Sequence, residues 1–108
     1  MIMTVKPGYN YYCDISVKYG LVPVKISAVI RVDSETSFHG EGTAMGKTIG
    51  FKNGVIEDGR YCFSVTAKGM TAAIEASLNP DGSIAGTATL AGSKPIPCKG
   101  NVTREEKA

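Results

Sequence analysis

The amino-acid sequence predicts an all-β fold, a small antiparallel eight-stranded up-and-down barrel or barrel-like sandwich. Three observations carry that expectation. Val, Ile and Thr number nine each against three Leu, and β-branched side chains fit a pleated surface while losing χ1 freedom in helices. Apolar residues recur at every second position over several stretches, the period of a strand with one face turned inward. Turn signals then divide the chain at nearly regular intervals with short connections, so sequence neighbours pair antiparallel as a meander.

The elements follow in order. Strand 9–19 turns Tyr11, Ile15, Val17 and Tyr19 inward. In strand 23–32, Val24, Ile26, Ala28, Ile30 and Val32 alternate with Lys25, Ser27, Val29 and Arg31. Strand 36–45 has Phe38, Gly40, Gly42 and Ala44 on its inner side. Strand 48–57 carries Phe51 and is broken near Asn53-Gly54, a tight-turn dipeptide whose residues tolerate positive φ. Asp58-Gly59 supplies the next turn, and strand 60–68 points Tyr61, Phe63, Val65 and Ala67 inward. Residues 70–78 are the one competitor for a helix. Their apolar positions alternate, however, and Asn79-Pro-Asp-Gly82 ends them as a hairpin turn does, so strand 71–78 is expected. Strands 83–91 and 95–103 complete the set, with Lys68-Gly69, Gly92-Ser93 and Lys99-Gly100 as further turn signals. Arg104 to Ala108 reads as a frayed, solvated tail.

The chain also repeats itself. A shift of 46 residues lays Gly40 on Gly86, Gly46 on Gly92, Gly54 on Gly100, Thr43 on Thr89 and Phe38 on Ile84. Upstream, a shift of 49 lays Tyr12-Cys13 on Tyr61-Cys62 and Gly20-Leu21 on Gly69-Met70. Two similar four-strand halves, about 11–58 and 60–104, are therefore expected within one domain spanning 1–108. Gly42-Thr-Ala-Met-Gly46, Phe51-Lys-Asn-Gly-Val-Ile-Glu-Asp-Gly59 and Tyr61-Cys-Phe-Ser-Val65 resemble a small duplicated β domain of anaerobic bacteria. Asp81-Gly-Ser-Ile-Ala-Gly-Thr87 and Gly100-Asn-Val-Thr-Arg104 resemble its C-terminal half. The likeness covers roughly residues 20 to 104 and implies the meander and the duplication. That family has no settled activity, so the resemblance carries over no functional residue.

Composition narrows the class. The chain has 108 residues, enough for one core, with 12 Lys+Arg against 10 Asp+Glu. A net charge of +2 scattered along the chain builds no footprint for nucleic acid or acidic lipid. No apolar run nears the roughly 20 residues of a membrane-spanning helix, and the first residues lack the basic start and apolar stretch of a secretory signal. Cys13, Cys62 and Cys98 are an odd set without metal-knuckle spacing. They read as reduced, mostly buried thiols of a cytoplasmic protein. In that compartment the sequon Asn101-Val-Thr103 is idle. No cofactor and no metal are expected.

Candidate chemistry is sparse. Gly40-Glu-Gly-Thr-Ala-Met-Gly-Lys-Thr48 ends like a phosphate-binding loop, but the pattern needs Gly where Glu41 stands and a helix where strand follows. His39 and Glu41 share one strand face opposite Phe38, Gly40 and Gly42, so they point to solvent as a pair. One His and one carboxylate fall short of a metal's usual ligand set. The predicted interior says more. It mixes small residues (Ala28, Gly40, Gly42, Ala44, Ala67, Ala72, Ala76, Gly86, Ala88) with larger apolar groups and the hydroxyls of Tyr11, Tyr19 and Tyr61. An eight-stranded barrel fills itself or holds one small ligand. Many small interior residues leave room for a ligand, or else glycines let the strands coil tightly until opposite walls meet. The filled middle is favoured over the open one, with a ligand cup at one open end.

Three readings of function result. The first is non-enzymatic binding of a small apolar or aromatic molecule in the barrel mouth, lined by Tyr11, Phe51, Tyr61 and Phe63. The second is an interaction or assembly module, a homodimer or the accessory subunit of an enzyme, using strand edges or a patch around Tyr12, Val29 and Met45. The third is a small barrel enzyme, of isomerase or cyclase type, in which His39 and Tyr61 move protons on a hydrophobic substrate.

Overall fold

The computed structural model describes residues 5–19, 22–44, 46–67, 69–90 and 94–108. They form a closed barrel of eight antiparallel strands in sequence order. The strands are β1 (Tyr9–Tyr19), β2 (Val22–Val32), β3 (Ser37–Ala44), β4 (Lys47–Glu57), β5 (Arg60–Ala67), β6 (Met70–Leu78), β7 (Ser83–Leu90) and β8 (Ile96–Lys107). Closure comes from β8 pairing with β1, where Val17 stands opposite Cys98 and Tyr9 opposite Lys107. The alternation read from the sequence sets the inner face, since a one-residue slip would turn every apolar side chain outward. Met45, Gly20, Leu21, Lys68, Gly92, Ser93 and the side chains of Tyr19 and Ala67 lie outside the described residues.

The structure corrects three sequence expectations. Asn53-Gly54 is no turn. β4 is continuous, and Phe38 pairs with Gly54 while Gly40 pairs with Phe51, leaving Lys52 and Asn53 opposite His39 alone. That is a β-bulge, and Asn53 takes the positive φ of 60° that its chemistry tolerates. The extra residue shifts inner parity from Phe51 to Gly54, whose missing Cβ leaves room for the Phe38 ring. Lys99-Gly100 is likewise strand interior rather than a turn, with Gly100 opposite Ile15. The expected tail, finally, continues β8 to Lys107, past a second bulge at Thr103. The amide of Ala108 donates to the Gly8 carbonyl at 2.9 Å. Asp58 (φ 51°) and Gly59 (φ 77°) do form the predicted tight turn.

The ladders repeat the offset of 46. Ile30 opposite Gly40 becomes Ala76 opposite Gly86, and Phe38 opposite Gly54 becomes Ile84 opposite Gly100. The upstream shift of 49 does not survive, because it would lay outward Tyr12 on inward Tyr61. Cys13 faces Ala28 as Phe63 faces Ile74, which places Tyr11 rather than Tyr12 on Tyr61.

Candidate functional site

The inside of the barrel is hollow. A cavity of about 390 Å³ runs along it, walled by side chains from all eight strands and by Val5. Small side chains open it: Gly42, Ala72, Ala76 and Ala88 stand where larger residues would meet across the lumen. This overturns the expected side-chain-filled middle. Burial says the same, for most inward-facing aliphatics keep partial exposure to the lumen. Among the described residues the buried apolar ones are few: Tyr11, Cys13, Ala28, Val32, Phe38, Phe51 and Cys98.

The two ends differ. At one end Tyr11 and Phe38 are each 1% exposed, and the N-terminal segment is tied across the strands. The Lys6 amide donates to Tyr11 Oη at 2.8 Å, and the Gly8 amide to the Val32 carbonyl at 2.9 Å. At the other end, where β1 leads to β2 and β3 to β4, most described lumen-facing residues are open, although Cys98, opposite Val17, is buried. Val17, Val24, Ala44, Ile49, Leu90 and Ile96 all remain part-exposed there. The result is a cup with a capped floor and an apolar rim.

The floor is aromatic. Phe38 meets Phe51, Tyr61 and Phe63 edge-on, with ring centroids 5.9, 5.6 and 5.7 Å away, and Phe51 stacks on Phe63 at 4.2 Å. Quadrupoles favour these offset and T-shaped contacts. The Phe51–Phe63 stack also spans a seam in the wall. The β4–β5 ladder runs only from Val55 opposite Cys62 to Glu57 opposite Arg60 and stops short of the Asn53 bulge. Phe63 thereby borders both the lumen and a shallow outer groove that includes Lys52 and Asn53.

The structure brings together all four residues predicted to line a ligand site. Tyr11, Phe51, Tyr61 and Phe63 all border the cavity. Burial and the neighbouring Tyr11 and Cys13, across the lumen on β1, push the Tyr61 hydroxyl up to about 12. Among the described residues that hydroxyl has no hydrogen-bond partner, and it is not sealed from solvent. The Cys13 thiol, desolvated and beside Asp14, also rises to about 12, and its Sγ donates to the Tyr11 carbonyl at 3.8 Å. Burial raises Cys98 and Tyr11 as well, the Tyr11 shift being opposed by the Lys6 amide and reinforced by Glu105. All three cysteines are free.

His39 and Tyr61, the catalytic candidates, are not brought together. His39 is on the outer face, with Nδ1 2.7 Å from Asp33 Oδ2; Tyr61 is inside. Glu41 is outside too, paired with Arg31 at 2.7 Å. Asp33 and Arg31 were not anticipated as their partners, since spacing alone does not show which residue lies across a ladder. Sequence reading did not single out Cys13, Ile49, Ile84, Ile96, Cys98, Val102 or Lys47 as lumen residues, although parity within each strand contains that signal. The Gly40–Thr48 segment is strand and hairpin with no helix behind it. No group of three metal-ligating side chains occurs among the described residues.

Outside, the strands carry Asp14, Ser16, Lys25, Ser27, Arg31 and Thr43. Among the described residues no helix is long and apolar enough to cross a membrane. Tyr12 is half-covered by the Arg104 guanidinium, 3.9 Å above its ring, and Val55 at 47% is the one exposed large hydrophobe among the described residues. The chain matches no protein-family model, no curated protein and no solved structure.

Proposed function

We propose that the protein binds a small apolar or aromatic molecule inside the barrel and does not transform it. One observation carries the reading: a chain this small keeps about 390 Å³ of apolar space where close packing would leave voids little larger than a water. Ligand pockets run from about 300 to 1,000 Å³, mostly apolar with a few placed polar groups. The aromatic floor gives a planar guest faces and edges to meet, and the Tyr61 hydroxyl offers one hydrogen bond. Cys13, Cys98, Tyr11 and Tyr61 all hold their protons more tightly than usual. None of them is therefore a ready base at neutral pH, which favours holding over turnover.

The test is saturable binding of N-phenyl-1-naphthylamine, a neutral apolar fluorophore. Wild-type protein is expected to bind one equivalent and to unfold at higher temperature with it. At a free concentration 100 times Kd the gain is about 2.7 kcal/mol. The A88F variant puts a ring into the lumen and is expected to stay folded and lose binding. A folded wild type that shows no saturable binding, or an A88F variant that binds as well, overturns the proposal.

A further inference from the structure

We infer that the ligand is an anionic amphiphile: a single apolar chain that enters tail-first and leaves a carboxylate, or another singly anionic head, beside Lys47 at the open rim. This rests on the cup reading above and names the class of molecule that fills the cup.

The first observation is the placement of charge. Among the described residues toward the open end (15–17, 24–30, 42–44, 46–52, 62–66, 71–74, 87–90 and 94–100) stand Lys25, Lys47, Lys52, Lys94 and Lys99, and no Asp or Glu. The acidic residues lie toward the middle and the capped end. The three arginines lie far from the rim and are each neutralised: Arg31 by Glu41 at 2.7 Å, Arg60 by Glu75 at 3.0 Å and Arg104 by Glu106 at 3.4 Å. Among the described residues no such partner is found for Lys25, Lys47, Lys94 or Lys99, which leaves the open end cationic. A cleft with low-dielectric walls and one sign of charge at its mouth concentrates ions of the opposite sign.

The second observation is the position of Lys47. It stands opposite Ala44 at the start of β4, on the inward parity of Ile49 and Phe51, and it borders the cavity. It is the one charged residue among those described that does so. Everything deeper is apolar apart from hydroxyl and thiol groups. A fully apolar guest would leave this ammonium unused, and a cationic head would be repelled by it.

The third is size. A hollow of about 390 Å³ holds on the order of a dozen water- or methylene-sized groups at about 30 Å³ each. A chain of about ten carbons therefore fits with its head at the rim.

The experiment compares decanoate, 1-decanol and decyltrimethylammonium by isothermal titration calorimetry at low salt, with wild type and K47E. Decanoate is expected to bind wild type about tenfold more tightly than decanol, and the ammonium more weakly than either. The decanoate advantage should shrink at 0.5 M salt as the charges are screened. K47E is expected to lose about tenfold for decanoate, change within about twofold for decanol, and keep the thermal midpoint of the unliganded protein. Equal affinity of wild type for all three ligands overturns the anionic-head inference and leaves the cup standing. Binding of none of the three by folded protein overturns the cup itself. Unchanged decanoate affinity in K47E removes Lys47 as the head-group contact and overturns the inference as stated.

Discussion

Glycine at position 40 is fixed by contact rather than by turn geometry. A Cβ there would run into the Val29 carbonyl oxygen and meet the Phe51 ring at 3.0 Å. Gly86 and Gly100 stand in the same relation to the carbonyls of Glu75 and Asp14. Backbone cannot give way as a side-chain tip can, so G40A is expected to cost about 3 kcal/mol, the upper range of overpacking. G50A, with only the Gly40 carbonyl at 3.7 Å, is expected to be nearly neutral. Urea unfolding of the two variants decides, and equal midpoints would refute the contact argument. Cys13 and Tyr61 set an alkaline limit. Both titrate near 12 when folded, against 9.0 and 10.0 as ordinary values. The unfolded chain therefore releases these protons first, and the stabilisation, complete below about pH 9, is lost as pH rises toward 12. Urea midpoints at pH 8 and 10.5 should show the fall, and Y61F should flatten it.

The bulge in β4 is the element that shapes the site. It carries Gly54 under Phe38, and beyond it, where the β4–β5 ladder has ended, Phe51 and Phe63 stack across the seam. Asn53 occupies the left-handed region with φ at 60°, which costs most residues about 1–2 kcal/mol and β-branched ones more. N53G is expected to keep or slightly raise stability and N53V to lose about 2 kcal/mol, measured by thermal or urea unfolding. Equal stability of the two would mean that position 53 does not need its conformation. β8 makes a second expectation. Its last turn of ladder, Tyr9 opposite Lys107 to Tyr12 opposite Arg104, closes the barrel at the capped end. Removal of residues 104–108 should lower the unfolding midpoint and speed amide exchange at Tyr9–Tyr12, whereas a frayed tail would leave both unchanged.

At the scale of the molecule, an apolar lumen with a capped aromatic floor and a cationic rim makes a polarised container. Thiol chemistry reports on it. Cys62 faces outward and is half-buried, while Cys13 and Cys98 face the lumen and are buried. One thiol should react promptly with a bulky disulfide reagent at pH 8 and two only on unfolding; three prompt thiols would contradict the closed wall. F38A, which removes the centre of the floor cluster, should cost about 3–5 kcal/mol and is read from the urea midpoint.

The eight strands, their order and the inner parity were legible from the sequence, because strand period and turn residues are local properties of a few neighbouring side chains. So were Tyr11, Phe51, Tyr61 and Phe63 as inward residues. The same local reasoning mistook Asn53-Gly54 for a turn and Arg104 onward for a tail. The preference for positive φ serves a bulge as well as a hairpin, and a charged segment pairs once a strand edge stands beside it. Only the tertiary structure decided that the middle is hollow rather than filled. Whether small residues from opposite strands meet or leave a gap depends on barrel diameter, which closure of the whole sheet sets. It also decided that His39 and Tyr61 are separated by the wall and that Lys25, Lys47, Lys94 and Lys99 stand together toward one end, since both are relations between strands far apart in the chain.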